Sequence, residues 1–196
     1  LPSIHSGYWH PFFAACEDTG TVVAMHIGSG TKTPQTSGDA PDAVAATIIF
    51  GNSVGSLTGF LFSGVLHRFP ELKLLYAEAQ IGWIPYVLER ADDVWDTHRG
   101  WSNSQLHCPE PPSTYYRRQV HSCFFKDAVG VTLLDDVGAD NVLFETDYPH
   151  PICLYGNVRE MIEAGLGEVP AGDRRKVLWD NAARLYRVDA PPGQVG

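Results

Sequence analysis

Apolar runs and stretches of helical period alternate along the chain. Residues 21–27 (TVVAMHI) are mostly apolar and partly β-branched, and 72–78 (LKLLYAE), 121–125 (HSCFF) and 141–146 (NVLFET) repeat the theme at wide intervals. Near-continuous apolar runs suit strands covered on both faces, as in a parallel sheet. Helical patterns lie between them. HPFFAACEDTG ends on Gly20, a glycine placed to close a helix. Residues 43–69 hold one or two further helices, ending in HRFP. IPYVLERADDVW repeats apolar positions at Ile84, Val87, Leu88, Ala91 and Val94 or Trp95, a helical spacing. DAVGVTLLDDVG follows the third run and stops at Gly138, NVREMIEAG follows the fourth, and DRRKVLWDNAARLYRV comes last, with Asp173 as its expected N-cap. The predicted order is α, β, α, β, α, β, α, β, α, α, which is an α/β fold with parallel strands. The segment 108–114 (CPEPPST) and the tail 189–196 read as irregular. Four strand–helix units suit either a small doubly wound sheet or half of a (β/α)8 barrel; a whole barrel takes about 250 residues, more than the 196 here.

Charge narrows the partners. The formal net charge is −9, and the densest basic run, RRK at 174–176, is surrounded by acids and reads as a solvated helix face. Nucleic acid is not expected, because phosphate binding needs basic residues gathered on one surface. Residues 43–66 carry no charge but are interrupted by polar residues and glycines, so no membrane span is expected. Gly51, Gly55 and Gly59 recur at a spacing of four, which suits close helix packing and a contact within a homo-oligomer. Cys16, Cys108, Cys123 and Cys153 form no zinc-ribbon or C-x-x-C pattern and read as reduced thiols. With no leader pattern in view, a cytoplasmic protein is expected.

Chemistry-bearing residues gather at strand ends. The first strand runs out at His26 before a glycine-rich loop, the second at Glu78, and the fourth at Asp147. Parallel strands place these ends on one side, the side that carries the site in barrels and open α/β sheets alike. Imidazole and carboxylate suit a divalent metal. Taken singly, each residue has a plainer role as well: a hydrogen-bonded structural histidine, a helix-capping glutamate, a turn aspartate. A competing motif is GNSVG at 51–55, which fits the G-x-S-x-G nucleophile elbow with Ser53 as nucleophile and Asp93 and His121 as its partners. The alanine-rich segment before it reads as helix rather than strand.

The motifs AMHIGSG, HRFPELKLLYAEAQIGWIPYVLERAD, VLFETDYPHP and DNAARLY, in that order along nearly the whole chain, resemble the amidohydrolase superfamily. The resemblance is to the branch that includes aminocarboxymuconate-semialdehyde decarboxylase and related aromatic-acid decarboxylases and hydrolases. It implies that residues 1–188 are strands 5 to 8 of a (β/α)8 barrel, with Leu1–Pro2 at the end of strand 4. It also implies a divalent metal, zinc or manganese, at the C-terminal mouth. His26 and Asp147 would be metal ligands, with Asp147 and Glu78 handling protons. Tyr148 and His150 would line a pocket for a small carboxylated or cyclic substrate, and Trp83 would give it an apolar wall, although Trp83 also reads as plain core. The chain departs from the family twice. The strand-1 H-x-H or E-x-H pair is absent, so the resemblance implies the C-terminal portion of a longer protein. Glu78 stands where many members carry a strand-6 histidine. Three functions therefore follow: a metal-dependent hydrolase or non-oxidative decarboxylase, a non-catalytic barrel remnant that binds a ligand or partner, and a serine hydrolase built on Ser53.

Overall fold

The computed structural model describes residues 1–27, 32–102 and 104–189; the glycine-rich loop after the first strand (28–31) and residues 190–196 of the tail lie outside them. Four parallel strands form one sheet: β1 (Val23–His26), β2 (Leu74–Ala77), β3 (Val120–Phe124) and β4 (Val142–Phe144). They lie in chain order, β1-β2-β3-β4, with Val23 opposite Leu74, Leu74 opposite Val120 and Ser122 opposite Val142. A doubly wound sheet reverses its order at a switch point. This one does not, which settles the choice left open by periodicity in favour of an arc of barrel.

The helices are α1 (His10–Thr19), α2 (Asp42–Ile48), α3 (Gly51–Phe62), α4 (Val65–Arg68), α5 (Ile84–Thr97), α6 (Arg99–Ser102), α7 (Ser104–His107) and α8 (Pro112–Gln119). Beyond β3 come α9 (Ala128–Thr132) and α10 (Leu134–Val137), and beyond β4 α11 (Val158–Leu166), α12 (Ala171–Arg175) and α13 (Asn181–Tyr186). Gly20 closes α1 in the left-handed conformation at φ 62°, as its position in the sequence suggests.

Strand alternation builds two apolar layers. Leu74, Tyr76, Val120, Phe124 and Val142 pack against the helices with Leu57, Leu61, Ile84 and Leu88. The opposite face gathers Leu75, Cys123 and Leu143 against Leu185 of α13. Three buried amides stitch the amino-terminal end of the sheet: Gln119 Nε2 donates to the Phe69 carbonyl at 2.8 Å, Asn141 Nδ2 to Val120 at 2.7 Å and Asn181 Nδ2 to Val142 at 2.7 Å. Each answers a backbone carbonyl that burial would otherwise leave costly.

Several expectations are corrected. The proline-rich segment is not wholly irregular, because α8 begins within it at Pro112. Helix α12 is capped at Pro170, so Asp173 lies in its first turn, paired with Lys176 Nζ at 3.1 Å, rather than at the N-cap. Leu1 and Pro2 belong to no strand. The nucleophile elbow fails: Ser53 is buried inside α3, the residues before it are the helix α2 rather than a strand, and Asp93 pairs with Arg90. Residues Asp42–Phe62 are long and apolar enough to cross a bilayer by composition. Within it Ser53, Leu57, Phe60 and Leu61 are buried, and the other residues are half-buried or exposed. Cys16, Cys108 and Cys123 are free and buried, and Cys153 is free and half-buried.

Candidate active site at the carboxyl rim of the sheet

His26 is the last residue of β1, paired in register with Ala77, so Glu78 leaves β2 beside it. The Glu78 Oε1 carboxylate oxygen contacts His26 Nε2; the histidine is more than half exposed and the glutamate largely covered. Glu78 achieves this from an unusual backbone, with φ at 59°, and Gln80 follows at 58°. Left-handed residues other than glycine are uncommon and need their surroundings to hold them. Two carboxylates from neighbouring loops supply the hold. Glu145 Oε1 accepts the Glu78 N–H at 2.8 Å, and Asp127 Oδ2 accepts Ile81 N–H at 2.8 Å and Gly82 N–H at 2.6 Å.

Glu145 immediately follows β4. Burial pushes its carboxyl up to about 7, and the charges of Glu78 and Asp147 add to the rise, while the Glu78 N–H and the Cys123 thiol pull it back. A carboxyl that titrates near neutrality beside other acids is a frequent feature of proton-transfer sites. The only sequence signal for Glu145 is a second acid two residues before Asp147.

Asp147 also has a positive φ, 55°. His150 Nδ1 lies 3.1 Å from its Oδ2, but without hydrogen-bond alignment, so this buried oxygen has no hydrogen-bond partner among the described residues. Tyr148 and Tyr155 stack with ring centroids 5.9 Å apart, both exposed beyond the rim. Trp83 donates its indole N–H to the Ala79 carbonyl at 2.8 Å and packs half-buried against the core at the start of α5. The structure therefore joins His26 to Glu78, Glu78 to Glu145 and Asp147 to His150.

Imidazole and carboxylate are the right donors for a divalent metal, and the buried Asp147 oxygen without a hydrogen bond among the described residues fits such a role. Number is the obstacle. No group of three or more His, Cys, Asp or Glu residues among the described ones could hold a metal ion. A catalytic zinc takes three protein ligands, more than the described residues bring together.

An arc of parallel β/α units with its titratable side chains on the carboxyl rim is the architecture of a barrel enzyme's catalytic end. The chain belongs to the amidohydrolase family: the Amidohydro_2 family model matches residues 1–188. It is similar to γ-resorcylate decarboxylase of Polaromonas sp. (strain JS666 / ATCC BAA-500), at 25% identity over 138 residues, 65% of this chain and 38% of that protein. In fold it is similar to 5-carboxyvanillate decarboxylase from Sphingomonas paucimobilis, at TM-score 0.72 and 21% identity over 96% of this chain and 56% of the other. It is also similar to the dihydroxybenzoic acid decarboxylase of Polaromonas sp. JS666, whose structure holds manganese and the inhibitor 2-nitroresorcinol. The TM-score there is 0.71, with 17% identity over 99% of this chain and 58% of that one. The chain thus spans under two thirds of each relative's length.

Proposed function

We propose that this chain supplies the carboxyl-terminal part of the site of a metal-dependent carboxy-lyase, acting on a small carboxylated aromatic compound. The observation that supports it most directly is the set of contacts at the rim: Glu78 on His26, Glu145 on the Glu78 N–H, and Asp147 beside His150 with a buried oxygen that accepts no hydrogen bond among the described residues. His26 and Asp147 are the donors this chain would offer to a divalent ion, zinc or manganese, together with ligands from elsewhere. Such an ion polarises bound carboxylate and phenolate oxygens.

The chain's own groups have the work of protons. Loss of carbon dioxide from an aromatic acid breaks one carbon–carbon bond and leaves an electron pair that one proton must meet. Glu78 and Asp147 would carry that proton. Tyr148, stacked on Tyr155, offers an aromatic wall at the mouth, with His150 beside Asp147 as a polar contact. Hydrolysis of a small cyclic substrate would use the same groups to move the proton of an attacking water.

The test is carbon dioxide release from hydroxylated benzoates by the protein at its full cellular length, with its metal content measured alongside. Near-stoichiometric manganese or zinc is expected, together with a fall in turnover of at least about 100-fold in Asp147→Asn, with the melting temperature held. Near-normal release by that variant would overturn these roles. The shortage of donors among the described residues favours one other reading, a ligand-binding barrel remnant. Tight binding of a hydroxybenzoate by metal-free protein, without gas release, would establish that reading instead.

A further inference from the structure

Glu145 accepts a hydrogen bond from a backbone N–H 67 residues away, that of Glu78 in the loop after β2. At φ 59° the Glu78 backbone is held in the left-handed region, which a β-carbon disfavours. That turn brings Glu78 Oε1 onto His26 Nε2. Its N–H is fixed by Glu145 Oε1 at 2.8 Å, and Glu145 is itself tied to β3, donating its own N–H to the Phe124 carbonyl at 3.0 Å. A chain of contacts therefore runs from the sheet interior through Glu145 to the Glu78 backbone, then through the Glu78 side chain to His26.

We propose that Glu145 is a positioning residue: by accepting the Glu78 N–H it sets the left-handed turn that places the Glu78 carboxylate against His26. The inference rests on the reading of Glu78 as a proton-carrying group, and it adds the device that aims it. Glutamine at 145 keeps an acceptor oxygen in the same place and should serve. Alanine removes it, and leucine removes it while keeping the volume.

The test reads geometry rather than turnover. In amide-resolved NMR, Glu145→Ala should speed exchange of the Glu78 amide proton by about tenfold, the factor equivalent to one net hydrogen bond. It should also move the His26 ring resonances to the positions they take in Glu78→Ala. Glu145→Gln should keep both signals at their wild-type values. His26 resonances unmoved in Glu145→Ala, or a Glu145→Gln variant that behaves like Glu145→Ala, would overturn the proposal. If Glu145→Ala does not fold, Glu145→Leu takes its place in the comparison, and loss of Glu78 protection in Glu145→Gln is decisive alone. Should Glu78→Ala retain full turnover while these signals respond as stated, the catalytic reading of Glu78 falls and the positioning role stands.

Discussion

His121 shows how one residue carries a measurable electrostatic cost. It lies on β3 and is buried, with Nδ1 lacking a hydrogen-bond partner among the described residues. Burial, then the positive charges of Arg184 and Lys73, pull its pKa from 6.5 to about 4, against the backbone hydrogen bond with Leu74. The folded-state value lies below the unfolded one, so the unfolded chain binds the extra proton first. Stability from this group is present above pH ~6.5 and is lost as pH falls toward 4. The full effect is on the order of 3 kcal/mol. Urea unfolding of wild type and His121→Gln across pH 4 to 7.5 should therefore diverge, with the wild type falling more steeply on the acid side. Parallel curves would mean that His121 is solvated in a way its burial does not allow. At the same scale, Glu145 was not legible in the sequence. Its partner is a main-chain N–H on another loop, and no spacing in the chain encodes such a meeting. His26, Glu78 and Asp147 were legible because each ends an apolar run, and an ionisable group there faces the one rim that parallel strands share.

At the scale of elements, the loop after β2 is a junction. Asp127, the N-cap of α9, accepts three backbone N–H groups, from Ile81, Gly82 and Gly130. Space around it is tight: a β-carbon on Gly130 would lie 2.3 Å from Ile81 Cγ1. Asp127→Ala leaves three partly buried donors without their acceptor and should destabilise the fold by on the order of 3 kcal/mol. Asp127→Asn keeps oxygen at one position and should cost less than half as much; equal losses in chemical unfolding would show that the carboxylate geometry is not what holds the loop. The helices that the sequence pattern foretold are those with a long apolar period, such as α5, which buries Ile84, Leu88 and Ala91. Helix α8 escaped because a run of prolines reads as loop. Pro112 sits in its first turn, where the missing N–H has no intrahelical partner to lose. The start of α12 was misplaced for a related reason. Pro170, extended at ψ 136°, takes the cap position and moves Asp173 into the helix.

At the scale of the molecule, four strands in sequential order leave β1 and β4 as the outer strands of the sheet. In a closed barrel every strand has two neighbours, and this chain covers 56% and 58% of the two solved relatives. The β4 side is partly guarded, since Asn181 donates to the Val142 carbonyl and Leu185 covers Leu143. On β1, Ala24 and His26 are exposed while Val23 and Met25 are half-buried, so its exposed face alternates with one that packs on the core. An outer strand of this kind recruits another strand unless charge prevents it. The 196-residue chain should therefore associate as its concentration rises, which sedimentation velocity between about 5 and 200 µM would show as a growing dimer or larger fraction. Ala24→Lys places a charge on the exposed face of β1 and should shift that association to higher concentration without lowering the melting temperature. A wild-type chain that stays monomeric across the range would mean that β1 is already shielded from pairing.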